Sequence, residues 1–166
     1  MKLQRNFYTQ SAIELAPILL GKILCRNINS EVLRYRITET ECYTANDTAC
    51  HAHRGKTPRN AVMFNIGGTA YVYLCYGIHN LLNVVTGESN ILEAVLIRGI
   101  EGLNGPGKLT KFMKIDRSLD GIDLTTSKEL WLEDDGTQFE YTATPRIGID
   151  YASEEDKARL WRFVKN

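Results

Sequence analysis

The chain has 166 residues, 43% of them hydrophobic, with 20 basic and 20 acidic side chains and a net charge of zero. That length supports one ordinary core without disulfide or metal staples. No run is long and apolar enough to cross a bilayer, and overall neutrality supplies no general pull on a polyanion.

The distribution of charge says more than the sum. Residues 1–115 carry 13 basic and 8 acidic side chains, and residues 116–166 carry 7 and 12. One basic face and one acidic face would give these counts, and so would ordinary surface scatter. No internal repeat, low-complexity tract or linker divides the sequence. The expectation is a single domain over 1–166.

At the N-terminus, Ser11 followed by Glu14 forms a capping-box pattern that opens a short helix. Ile13, Ala16, Leu19 and Leu20 share one face of it. Pro17 predicts a kink or two short pieces. Glu14 and Pro17 also interrupt the apolar stretch from Ala12 to Leu20, so it does not read as a secretory signal. The expected location is therefore cytoplasmic, and nucleoid-associated in a bacterium. Cys25, Cys42, Cys50 and Cys75 contain no Cys-x-x-Cys pair and read as reduced, mostly buried thiols.

Residues 32–43 alternate as a strand does. One face carries Leu33, Tyr35, Ile37, Glu39, Glu41 and Tyr43, so an apolar face ends in two carboxylates. Burying two neighbouring carboxylates raises at least one pKa, which makes a general base or acid near neutral pH. Neutralisation by the many arginines is the competing explanation.

Residues 44–68 form a long irregular stretch of the kind that carries function. Within it, Cys50, His51 and His53 offer zinc ligands without a second cluster to complete a site. Arg54, Lys56 and Arg59 suit phosphates.

Three strand-like runs follow, Thr69 to Tyr76, Asn80 to Thr86 and Ile91 to Arg98, joined as antiparallel hairpins. Tyr71 and Tyr73 share a strand face. Tyr76, beside Gly77, sits at a hairpin tip, where an aromatic serves a core poorly but can act as a wedge between bases. Gly105-Pro106-Gly107 precedes a short helical run from Lys108 to Ile115, whose N-terminus can hold a phosphate. A further strand is expected near Arg146 to Ile149 and a short helix from Ser153 to Leu160. Trp161 and Phe163 are expected to tie the C-terminus to the core. The whole predicts an α+β domain built on a curved, mainly antiparallel sheet, with a protruding hairpin and short flanking helices.

Several runs together resemble a known family. They are Thr38-Glu39-Thr40-Glu41-Cys42-Tyr43, Asp47 to His51, and Thr57-Pro58-Arg59-Asn60 with Met63-Phe64. Tyr71-Val72-Tyr73, Tyr76-Gly77, Asn83-Val84-Val85, Ala94 to Arg98, Gly105 to Leu109, Arg146-Ile147-Gly148 and Trp161-Arg162-Phe163 continue the match in order. The family is that of the alkyladenine (methylpurine, 3-methyladenine) DNA glycosylases, and the resemblance spans nearly the whole chain.

The resemblance implies a base-excision-repair enzyme acting, as a monomer and without cofactor or metal, on double-stranded DNA that contains damaged purines. It assigns the activation of water to Glu41 and the holding of that water, or of an adjacent phosphate, to Arg98. Tyr43, His51, Tyr73 and Asn83 would line a pocket for the flipped base. Tyr76 would be the wedge, flanked by Ile78 and His79, and Arg59, Lys108 and Arg117 would bind the backbone. With no lysine placed as a nucleophile, neither a Schiff base nor strand cleavage is expected. Two other classes remain open on the sequence. One is a non-catalytic nucleic-acid-binding domain of the same fold, and the other is a small zinc hydrolase using Cys50, His51 and His53.

Overall fold

A computed structural model describes residues 1–166. Two short helices, α1 (Arg5–Tyr8) and α2 (Ala12–Ile18), lead into β1 (Ile23–Ile28) and the long β2 (Glu31–Tyr43). After an irregular stretch come β3 (Ala70–Cys75), β4 (His79–Thr86), β5 (Glu93–Ile100) and the two-residue β6 (Leu103–Asn104). Helix α3 (Pro106–Phe112), β7 (Leu130–Glu133), β8 (Tyr141–Thr144), α4 (Glu154–Ala158) and β9 (Arg162–Lys165) complete the chain. The expected α+β class and the curved antiparallel sheet are both observed.

Every ladder is antiparallel. The sheet runs β3-β4-β5-β2-β1-β7, with β6 on β5 and the β8–β9 ladder joined to β2. The main core packs α2 and α3 against one face of this sheet, through Leu15, Leu19, Leu109 and Met113 among others. As expected, Phe163 lies in that core and Trp161 packs against it.

The capping box forms as predicted, with the Ser11 side chain accepting from the Glu14 backbone N–H and the Glu14 carboxylate accepting from the Ser11 N–H. Two expectations about this helix are corrected. Ile13 is exposed, and the buried face is Ala12, Leu15 and Ala16. Pro17 causes neither kink nor split, because the helix ends one residue later. The run near Arg146 to Ile149 is not a strand; β8 precedes it and stops at Thr144. Arg146 leaves the sheet to bury its guanidinium, and Gly148 turns the backbone at φ 74°.

Strict alternation along β2 also fails, for a reason that shapes the site. Its pairing with β5 shifts between Ile37 and Thr40, so Ile37 faces Ile100 while Thr40 faces Ile97. Ile37, Cys42, Val95, Ile97 and Ile100 all lie in the main core, which an unbroken period of two forbids. Thr40 likewise turns inward and donates to the Ala16 carbonyl at 2.7 Å. An irregularity of this kind re-aims the side chains that follow it. Here it turns Glu39 and Glu41, with Arg98 from β5, onto the side away from the helices.

Candidate active site

The face of β3, β4 and β5 opposite the main core, closed by residues 147–153 and by the start of α3, encloses a cavity of roughly 970 Å³. Its lining includes Tyr43, His51, Tyr73, Tyr76, His79, Asn83, Arg98 and Lys108, so the fold brings most of the sequence-derived site residues together. Ile78 does not line it.

Glu41 lies directly behind this wall and is fully buried. Its Oε2 accepts from the Tyr43 hydroxyl at 2.6 Å and its Oε1 from the Ile147 backbone N–H at 2.8 Å. Arg98 Nε stands 3.5 Å from Oε1. Burial pushes the Glu41 pKa up, and this outweighs the Arg98 charge and the two hydrogen bonds that favour the carboxylate. Tyr43 keeps its proton, since burial and the adjacent carboxylate both raise its pKa. A carboxylate has about four acceptor positions; two are filled by the Tyr43 and Ile147 hydrogen bonds, and Arg98 adds its charge without donating, since its Nε–H goes to Glu39.

Glu39 has different company. Its Oε1 accepts from Arg162 Nε at 2.6 Å and from Arg98 Nε at 3.0 Å. Neutralisation by arginine, one of the two readings of the glutamate pair, thus holds for Glu39. In this arrangement Glu39 fixes Arg98 through Nε, and the terminal amino groups of Arg98 make no protein hydrogen bond.

Behind the other wall lies an ion pair that sequence reasoning missed. The side chains of Arg146 and Asp47 are both completely buried, and the guanidinium grips both carboxylate oxygens. Arg146 also donates to the Cys42 carbonyl at 2.9 Å. Its guanidinium stacks between the rings of Tyr43, at 4.8 Å, and Trp161, at 5.0 Å. Arg146 therefore backs one face of Tyr43, and its neighbour Ile147 supplies the N–H that holds Glu41. The only sequence signal was the presence of both residues in matched motifs.

On the opposite side, Tyr73 and His51 meet edge to face at 4.2 Å, and Tyr71 and Tyr73 lie 5.4 Å apart with a tilt of 35°. Tyr71 is buried beneath them, with its hydroxyl 3.4 Å from His51 Nδ1. Packing against these rings and the charge of Arg59 lower the His51 pKa, although one side of the imidazole is open to solvent. The cavity is thus walled by neutral aromatic rings of the sort that attract a flat cation. Asn83 is buried, and its amide nitrogen donates to the Tyr71 carbonyl at 3.3 Å. Its carbonyl oxygen has no protein partner.

The β3–β4 hairpin ends in Tyr76, which is 88% exposed, and in Ile78 at 73%. Tyr76 and Gly77 both have positive φ, 52° and 70°. A left-handed tyrosine costs on the order of 1–2 kcal/mol, so this ring is held in the open against the backbone's preference and without packing in return. Strain at an exposed side chain points to function. Replacing Tyr76 with Asn, which tolerates that φ, is expected to leave stability equal or about 0.5–1 kcal/mol higher. The same change should weaken binding to duplex DNA, and thermal melts set beside a titration check both outcomes. His79 packs at the base of the hairpin on α3: a Cβ at Gly107 would stand 2.9 Å from His79 Nδ1. Thr110 strengthens the joint by donating to the Asn80 carbonyl at 2.6 Å.

Ion pairs engage part of the basic charge of this neutral chain and leave part of it free. The acidic residues 129–135 engage cations of β1, β2 and the turn before them: Lys22 with Asp134, Arg26 with Glu129, Arg34 with Glu133 and Arg36 with Asp135. Arg54, Arg59, Lys108 and Arg117 enter no ion pair. Arg54 and Lys108 line the cavity, whereas Arg59 and Arg117 line a second groove at the outer edge of β3. Lys108 is the only lysine of the cavity lining and is exposed. Cys50, His51 and His53 do not converge into a metal-binding group: Cys50 is buried among apolar side chains and His51 faces the tyrosines.

Comparison with known proteins places the chain among its relatives. The family model described as methylpurine-DNA glycosylase matches residues 6–104 and 101–166. A relative from Borrelia garinii subsp. bavariensis is 44% identical over 97% of this chain and 94% of its own length. One from Psychrobacter cryohalolentis is 43% identical over 96% of this chain and 89% of its own. A third, from Methanocella arvoryzae, is 45% identical over 97% of this chain and 90% of its own length. All three carry the provisional name 3-methyladenine DNA glycosylase.

Proposed function

The chain belongs to the methylpurine-DNA glycosylase family, and on that premise we propose that it excises alkylated purines from duplex DNA by flipping the nucleotide and hydrolysing its N-glycosidic bond. The observation that carries this reading is the setting of Glu41: its three partners, Tyr43, Arg98 and Ile147, all line one aromatic cavity.

In the proposed reaction the damaged base enters between Tyr43 on one side and His51 and Tyr73 on the other. An alkylated purine carries a positive charge, which the ring faces favour by about 0.5–2 kcal/mol. It is also a good leaving group and departs with the bonding electrons, needing little acid catalysis. A water at a free acceptor position of Glu41, reached past Tyr43 and Arg98, gives up a proton to the carboxylate as its oxygen bonds to C1′ of the sugar. The developing positive charge on the sugar ring lies beside that carboxylate until the bond forms. The products are a free base and an abasic site. Asn83, with its carbonyl oxygen unpaired, meets the purine edge and takes part in discriminating among purines. Extrusion of the nucleotide costs a few kcal/mol, least for a damaged pair, and Tyr76 offsets part of this by filling the vacated stack. Arg54 and Lys108 would approach the backbone at the cavity mouth. No lysine stands among the groups around Glu41, in keeping with hydrolysis alone and no strand cleavage.

The test is release of free base from duplexes each containing one lesion: 3-methyladenine, 7-methylguanine, hypoxanthine or ethenoadenine. Release from an alkylated purine, with the strand intact until alkali treatment, is the expected result. Salt-dependent binding with no release from any of the four would favour a non-catalytic nucleic-acid-binding role instead.

A further inference from the structure

A groove of roughly 580 Å³ lies at the outer edge of β3, on the side away from β4. It is lined by Pro58, Arg59, Tyr76, Gly77, Arg117 and Asp120, together with residues of β3 itself. Tyr76 lines both this groove and the large cavity. The exposed ring therefore stands between two concave surfaces, one spread over β3–β5 and the other outside β3.

The polar groups of the groove fall into two sets. One set seals the edge of the sheet. Asp120 accepts from the Val72 N–H at 2.8 Å, and Arg59 donates to the Leu74 carbonyl. The other set faces outward. Arg117 is exposed, and its side chain makes no hydrogen bond or ion pair. Only one terminal nitrogen of Arg59 is engaged. Two guanidiniums thus converge on a concave surface whose single carboxylate is already turned to the backbone. Guanidinium is the side-chain group best suited to gripping a phosphate through two parallel bonds.

We propose that this groove holds the backbone phosphates of the undamaged strand, while the cavity takes the flipped nucleotide of the damaged strand. The proposal rests on the flipping reading above and extends it by dividing the cations between strands. If Tyr76 replaces a nucleotide that has swung into the cavity, the strand carrying that nucleotide passes over the cavity mouth, beside Arg54 and Lys108. The complementary strand then passes on the other side of the ring. On that side the second backbone meets Arg59 and Arg117, which line the groove outside β3.

The experiment uses the wild-type chain and the variants R117Q, R59Q/R117Q and K108Q. The ligands are a duplex carrying a tetrahydrofuran abasic analogue, which has no glycosidic bond to cut, and the same modified strand alone. Binding is followed by fluorescence anisotropy over a range of salt concentrations. Each lost phosphate contact should reduce the slope of log K against log salt by about 0.9 on duplex DNA. R117Q should lower the duplex slope by about one and R59Q/R117Q by about two, with the single-strand slope unaltered. K108Q should lower both slopes. Equal losses on duplex and single strand for R59Q/R117Q, or no loss on either, would overturn the assignment. Arg117 touches nothing that holds the fold, so R117Q gives a reading even if R59Q loosens the edge of the sheet. Failure of the wild-type chain to bind either ligand would count against the glycosylase reading itself, a result separate from the division between strands.

Discussion

Glu41→Gln is expected to lower base release by about 10³-fold, within the range associated with losing a positioned general base, while binding of lesion-bearing duplex persists. The substitution keeps the shape of the side chain and an oxygen for the Tyr43 hydroxyl or the Ile147 N–H, and Arg98 keeps its bond to Glu39. Single-turnover release beside equilibrium binding separates the two effects. Turnover at the wild-type rate would remove Glu41 from the mechanism.

The same residue sets a pH dependence whose sign follows from its environment. Burial raises the folded pKa of Glu41 above the ordinary carboxylate value. A general base works only when ionised, so wild-type turnover should fall on acidification at a pH above 4.5, the value at which an unperturbed glutamate titrates. Stability runs the other way. A carboxyl with a raised folded pKa favours the folded state in its protonated form, and that contribution is lost as pH rises through the folded pKa. Above that pH the ionised carboxylate, held away from water, weakens the folded state relative to the unfolded chain. Glu41→Gln should therefore melt higher than the wild type at neutral pH and lose this advantage below the ordinary glutamate pKa. Lost activity with increased stability would mark a residue kept for chemistry at the expense of the fold.

Much of this site was legible in the sequence, and the illegible part has a common cause. The alternating pattern located β2 and put Glu39 and Glu41 on one side, but it made that side continuous with Leu33, Tyr35 and Ile37. The shifted register at Ile37–Thr40 breaks that continuity, and a bulge leaves no mark in the order of apolar and polar residues. Alternation also could not choose between the two glutamates. The choice depends on Arg162 and Arg98 reaching Glu39 and on Ile147 reaching Glu41, partners 59 to 123 positions away that no local pattern connects. Tyr76 was the opposite case. An aromatic beside glycine at a hairpin turn is a local signal, and it survives as an exposed ring at positive φ. The acidic C-terminal segment was visible as composition, whereas its pairing with β1 and β2 required the sheet order.

The least legible element should have the largest effect on stability. Asp47→Asn is expected to destabilise the fold by about 3–5 kcal/mol, because it leaves the Arg146 guanidinium buried without a counter-charge. For a chain of this size that corresponds to a fall in melting temperature of roughly 6–20 °C. Asp47 Oδ1 also accepts from the Ala49 N–H, so the start of the irregular stretch would loosen as well. The paired change Asp47→Asn with Arg146→Met should recover part of the loss, since it leaves neither charge uncompensated in the interior. Recovery of activity is not expected to follow. With Arg146 gone, Tyr43 loses the cation stacked on it at 4.8 Å, and residues 146–149 lose the anchor that sets the Ile147 N–H on Glu41. A double-mutant cycle read by both melting and base release would separate these contributions. If stability and activity returned together, the ion pair would be an ordinary strut. If stability returned without activity, the buried pair holds the Glu41 carboxylate as well as the fold.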